Sequence, residues 1–155
     1  MEFSGSQTIT APIEKVWAYL ADVHKVAACA PGFQSLEVID PEHWKAVVAV
    51  GMGPVKAKFT MDMTRPEMVE PEKMVVKARG KAPGSTVDLS GTMHLSVVDA
   101  TQTKMDWQAN VMVGGTIASV GARLMNSTAE KLTGQFFSCL KSNLQAPDAE
   151  ATAKG

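Results

Sequence analysis

Long hydrophobic runs are missing from this 155-residue chain, and no stretch approaches the roughly 20 apolar residues needed to span a bilayer. A charge excess is missing too. Fifteen Lys and Arg stand against sixteen Asp and Glu, and no basic run interleaved with aromatics is present, so no nucleic-acid partner is expected. Cysteine is scarce: Cys29 and Cys139 lie far apart without metal-ligand spacing. Two buried free thiols are the expected state, with a disulfide left open by sequence. His24, His43 and His94 are isolated, so neither a metal nor another cofactor is expected. The start, MEFSGSQTITAP, has no basic segment ahead of an apolar one. A secretory leader is therefore not expected, and the expected location is cytoplasmic.

Catalytic signatures are equally sparse. The run Gly80–Thr86 holds the letters of a phosphate loop in the wrong order. No serine sits in a nucleophile-elbow pattern, and Asp62, Asp88 and Asp106 fall on a polar, outward register. No catalytic residue is expected, and the chain reads as a non-enzyme.

What the chain does have is methionine, ten against a single tyrosine, and a long apolar stripe near its end. Ile117, Val120, Leu124, Met125, Thr128, Leu132, Phe136, Leu140 and Leu144 recur at helical spacing, with Ser119, Arg123, Asn126, Glu130, Lys131 and Lys141 opposite. This predicts a helix over 116–144, capped by Thr116 and about 43 Å long at about 1.5 Å per residue. Such a helix needs a large apolar surface around it.

Upstream, Phe3–Thr10 reads as a strand, and Ala11-Pro12 opens a short helix burying Ile13, Val16, Trp17 and Leu20. Asp22 is placed to cap a second short helix that Pro31-Gly32 stops. Six strands follow, around residues 33–39, 43–50, 55–64, 74–80, 87–97 and 105–113. In Val55–Thr64 the alternation is clean, with Ala57, Phe59, Met61 and Met63 on one face and Lys56, Lys58, Thr60 and Asp62 on the other. The predicted fold is α+β: a curved antiparallel sheet of about seven strands wrapped round a long C-terminal helix, with two short helices after the first strand. Residues 1–144 are expected to form a single domain and 145–155 a disordered polar tail.

A sheet gripping a helix leaves a space between them where the facing side chains are small or pliable. Ala57, Ala78, Gly91, Ala109 and Gly121 are small residues on the predicted inner faces. The expected apolar pocket is lined by Phe59, Met61, Met63, Met93, Trp107, Val111, Ile117, Gly121, Leu124 and Met125. An apolar ligand of about 25 heavy atoms at roughly −0.3 kcal/mol per atom would gain about −7.5 kcal/mol, a micromolar affinity.

The order of strand, two helices, strands and long helix resembles the START-like helix-grip superfamily. More narrowly, the chain resembles the carbon monoxide dehydrogenase G-subunit family. The residues that carry the likeness are Ala11-Pro12, Glu14-Lys15-Val16-Trp17, Pro31-Gly32 and Val50–Lys56 with Phe59, then Gly114-Gly115, Gly121, Arg123-Leu124, Ala129, Lys131-Leu132 and Phe136-Phe137. The resemblance implies a binding protein for a hydrophobic small molecule or lipid, accessory to a molybdenum-containing dehydrogenase. It also implies transient membrane contact and a place peripheral to the inner membrane. A lipoquinone, with an apolar tail and a redox head, is a physically sensible ligand. One alternative, within the superfamily, is a polyketide cyclase/dehydratase-like enzyme using the same cavity; another is a solid-cored interaction module whose outer face does the work.

Overall fold

The computed structural model describes residues 1–145, so the expectation for the tail beyond Gln145 lies outside the described residues. The chain runs β1 (Glu2–Ile9), α1 (Ile13–Ala21), α2 (Val23–Cys29), β2 (Phe33–Asp40), β3 (His43–Met52), β4 (Val55–Val69), β5 (Lys73–Ala82), β6 (Ser85–Asp99), β7 (Gln102–Gly115), a 3-10 turn (Thr116–Val120) and α3 (Ala122–Gln145). The seven strands form one antiparallel sheet in the order β1-β7-β6-β5-β4-β3-β2. The meander from β2 to β7 follows from short turns, since adjacent antiparallel strands need only tight hairpins. Seven strands, a long C-terminal helix and two early short helices agree with the expected architecture.

Local chemistry fixes the elements. Asp22 accepts hydrogen bonds from the backbone N–H groups of His24 (3.0 Å) and Lys25 (3.3 Å), capping α2 as expected. Gly32 and Gly115 sit at φ +75° and +78°, and a Cβ at either would collide with the carbonyl of Ala49 or of Gly84. Only glycine satisfies both the backbone sign and the close approach.

The expected single helix over 116–144 is broken. Gly121, at φ +87° and ψ 160°, separates the 3-10 turn from α3, and Gly115 rather than Thr116 caps the turn. Periodicity continues across the break because Ile117, Leu124 and Met125 all pack into one apolar cluster. Spacing alone could not reveal it. At the other end, Gln145 belongs to α3 rather than to a tail, and its Oε1 accepts a hydrogen bond from Thr10 N (3.0 Å).

The cysteine expectation is overturned. Cys29 on α2 and Cys139 on α3 are disulfide-bonded, with Cα atoms 5.5 Å apart. Sequence separation carries no information about this approach, which depends on α2 crossing the C-terminal half of α3. Tyr19 Oη lies 3.1 Å from Cys29 Sγ, and Asn143 Nδ2 donates to Tyr19 Oη at 2.9 Å, so the bridge sits in a small polar seam.

Arg65 is the one buried cation among the described residues. Its guanidinium donates to the carbonyls of Ala21 (3.0 Å) and Pro41 (2.8 Å) and lies 5.3 Å from the Trp44 ring. Burial holds its pKa below the usual arginine value, opposed by the charge of Glu42. Arg65 thereby ties the end of α1 to the β2–β3 turn.

Candidate functional site

The interior divides into two apolar clusters. One gathers Ile9, Val16, Trp17, Leu20, Met74, Leu95, Met105, Phe137, Leu140 and Leu144 where α1, α2 and the end of α3 meet the sheet. The other gathers Met52, Phe59 and Ile117, with Met61, Val87, Val113, Val120, Leu124 and Met125 packed on it, under the 3-10 turn.

Cross-strand register shows what lies between. On the inner face, Met63, Ala78, Leu89 and Val111 form one row across the sheet, and Val76, Gly91 and Ala109 form the next. Ala78 is buried, but Met63, Leu89, Val111, Val76 and Ala109 are only half-buried although they face the helix side. Above this row α3 offers Thr128, Ala129, Leu132, Thr133 and Phe136, all half-buried as well. The floor is widest open at Gly91, where a Cβ would meet only the backbone oxygens of Gln108 (3.8 Å) and Val76 (3.9 Å) and no helix atom. Small residues at the centre of the floor therefore leave a thinly packed hollow at this point of the inner face.

Apart from Thr128 and Thr133, the lining of this hollow is apolar. Thr128 is the polar exception on the stripe, yet its Oγ1 donates to the Leu124 carbonyl (2.8 Å), which satisfies it within the helix. At one end Trp107 faces Phe137 with ring centroids 6.0 Å apart. Its indole lies over Gly5, where a Cβ would come within 2.8 Å of ring atoms. Trp107 Nε1 is buried and has no hydrogen-bond partner among the described residues.

The ten expected pocket residues are thus distributed unevenly. Met63 and Val111 lie in the open middle row, and Met93 and Trp107 pack against the first cluster. Phe59, Met61, Ile117, Leu124 and Met125 belong to the second cluster, with Phe59 only 2 % exposed. Gly121 is not part of the wall: it is exposed, its φ is positive, and a Cβ there would have nothing within 4 Å. This departs from the expected inner-face position, because a side chain at 121 would be strained and would point into open space. Sequence reasoning missed Val76, Leu89 and Phe137. Leu89 was legible as an inward position by alternation, whereas Phe137 lies one residue off the chosen helical stripe.

Two open surface depressions lie elsewhere. One, of about 420 Å³, is on the outer face of the sheet among Asp62, Thr64, Lys77, Arg79, Asp88 and Met112. The other, of about 470 Å³, lies beside the β4–β5 turn. On the α3 side the sheet presents half-exposed apolar rows with Gly91 between them. His94 is exposed, and β6 pairs without a register shift from Ser85 to Val97 on its β7 side, so no bulge turns it inward. Among the described residues no three His, Cys, Asp or Glu side chains cluster to hold a metal, and no helix is long and apolar enough to cross a membrane.

The family described as the carbon monoxide dehydrogenase G subunit (CoxG) matches residues 5–145. No curated protein sequence matches the chain. Among solved structures, a conserved protein from Geobacillus kaustophilus superposes with a TM-score of 0.88 at 24% identity, covering 94% of this chain and 95% of that one. A START superfamily protein from Mycobacterium smegmatis gives 0.73 at 11% identity, covering 93% and 97%. The ZhuI aromatase/cyclase from Streptomyces sp. R1128 gives 0.69 at 16% identity, covering 94% of each. At these identities the likenesses show the fold, which is START-like.

Proposed function

We propose, from the premise that the chain belongs to the carbon monoxide dehydrogenase G-subunit (CoxG) family, that it binds a hydrophobic small molecule between α3 and the sheet and serves a molybdenum-containing dehydrogenase as an accessory. The observation that carries the reading is the open space over Gly91, set between two packed clusters and walled by half-buried apolar side chains. Water against such surface costs free energy, and removing it yields about 25 cal/mol per Å². A ligand with an apolar tail gains this without any charged anchor. A lipoquinone fits the demand, because the partner's chemistry is redox and its isoprenoid tail matches a pliable methionine-bearing wall.

The role is binding rather than turnover. Acid–base catalysis needs a titratable side chain within hydrogen-bond reach of the substrate. The rows facing the hollow supply Val, Gly, Ala, Met, Leu, Trp and Phe, and His94 is turned away from them.

Trp107 gives the direct test, since Trp17 and Trp44 are buried in packed surroundings while Trp107 is half-exposed at the hollow. Titration with a short-chain quinone should change tryptophan emission saturably, with Kd in the micromolar range, and the Trp107→Phe variant should lose the change. An emission that stays flat at every quinone concentration, with no apolar dye binding either, contradicts the reading.

A further inference from the structure

The hairpin end of the sheet carries a feature that the hollow does not explain. The β2–β3, β4–β5 and β6–β7 turns all lie at this end, two strands apart, so they span about 20 Å at about 4.8 Å per strand. Just before each turn stands a pair of exposed apolar residues followed by an acid: Val38-Ile39-Asp40, Met68-Val69-Glu70 and Val97-Val98-Asp99. Among the described residues these three pairs make up six of the eight large hydrophobic residues that are exposed, with Ile39 at 59 % and Val97 at 62 %, so exposure is concentrated rather than scattered. A concentrated exposed apolar patch with a polar rim marks an interaction surface.

The rim is acidic. Asp40 is engaged with His43 at 3.0 Å, and Glu67 pairs with Lys73 at 2.7 Å. Glu42, Glu70, Glu72 and Asp99 have no ion-pair partner among the described residues. The β4–β5 turn is also held in place, because Leu95 N donates to the Glu72 carbonyl at 2.8 Å. Arg65 holds the β2–β3 turn through the Pro41 carbonyl, so the tips are ordered before a partner arrives. Beside them lies the depression of about 470 Å³, with Ile13, Leu95 and Val97 as apolar wall and Glu72 and His94 as polar lining.

We propose that this hairpin end is the docking face for a protein partner whose surface has an apolar centre and a lysine or arginine rim, one such side chain seating beside Glu72. The proposal rests on the accessory role given above. Charge selects the occupant: an anionic lipid surface is repelled by these carboxylates, and a second copy would bring two acidic rims together. A basic rim on a protein satisfies both the apolar tips and the carboxylates.

The test measures binding of the immobilised protein to the host's purified molybdenum-containing dehydrogenase. Wild type should bind, and less tightly as salt rises. Glu70→Lys/Glu72→Lys should weaken binding at least tenfold, chiefly through the association rate, and Ile39→Ser/Val98→Ser at least tenfold through dissociation. Lys56→Glu/Lys58→Glu, at the opposite end, should bind as wild type does. Absence of wild-type binding, tip variants that bind normally, or loss through the Lys56/Lys58 variant instead each overturns the proposal. So does sedimentation showing a dimer that the tip substitutions dissolve, or phosphatidylglycerol vesicles that bind through the tips. Because all these substitutions are on exposed positions away from Gly91, the quinone titration of each variant reports the hollow separately.

Discussion

Gly91→Leu should weaken ligand binding on the order of a hundredfold while leaving the protein folded and at least as stable as wild type. Gly91 is in a β-strand with ordinary backbone, and a Cβ there meets nothing nearer than two backbone oxygens at 3.8 and 3.9 Å. A side chain can therefore start from this position without a clash at Cβ, and leucine should extend into the proposed hollow. Burying it gains about 1.5–3 kcal/mol, and removing glycine from a strand interior adds to that. For the ligand the effect is opposite. If about ten of its atoms lose their place at about 0.3 kcal/mol each, binding weakens by about 3 kcal/mol, on the order of a hundredfold. Thermal unfolding and the tryptophan titration, run side by side, check both halves. A variant destabilised by the overpacking cost of about 1–3 kcal/mol, with binding intact, would mean that the space over Gly91 is filled in solution.

The second large effect is on stability. Reducing the Cys29–Cys139 bond, or replacing both residues with serine, should lower stability by about 2–5 kcal/mol, because the bond closes a long loop in the unfolded chain. The sequence separation is 110 residues, so the loop-closure entropy involved is near the upper end for a domain of this size. At about 2–4 °C per kcal/mol, melting should fall by roughly 5–20 °C. Differential scanning calorimetry with and without a phosphine reductant measures this. A native protein that titrates as two free thiols, or a melting temperature indifferent to reductant, would restore the free-thiol expectation.

These two predictions mark how far the sequence could be read. The strands were legible because alternation has a period of two and one face is apolar, as Phe59, Met61 and Met63 against Thr60 and Asp62 illustrate. The Asp22 cap was legible because its chemistry is local. The floor of the hollow was legible in part, since Gly91 and Ala109 stand on the inward register. What failed were long-range and backbone facts. The break at Gly121 hides inside an unbroken apolar stripe, and glycine's identity does not announce its φ. The disulfide joins helices whose approach is set by tertiary packing. The role of Gly5 depends on Trp107 lying across it from the neighbouring strand, which only the register Gly5↔Trp107 reveals. The apolar hairpin tips were present in the sequence as three similar motifs, but their alignment at one end follows from the strand order.

The claim that the hollow between α3 and the sheet holds an apolar molecule is tested most directly by native mass spectrometry of protein purified under mild conditions from its own host. The account predicts a species heavier than the 16.5 kDa chain by one lipid-sized mass, which is absent from Gly91→Leu purified in parallel. A wild-type spectrum containing only the bare chain mass, or an adduct retained equally by Gly91→Leu, would contradict it.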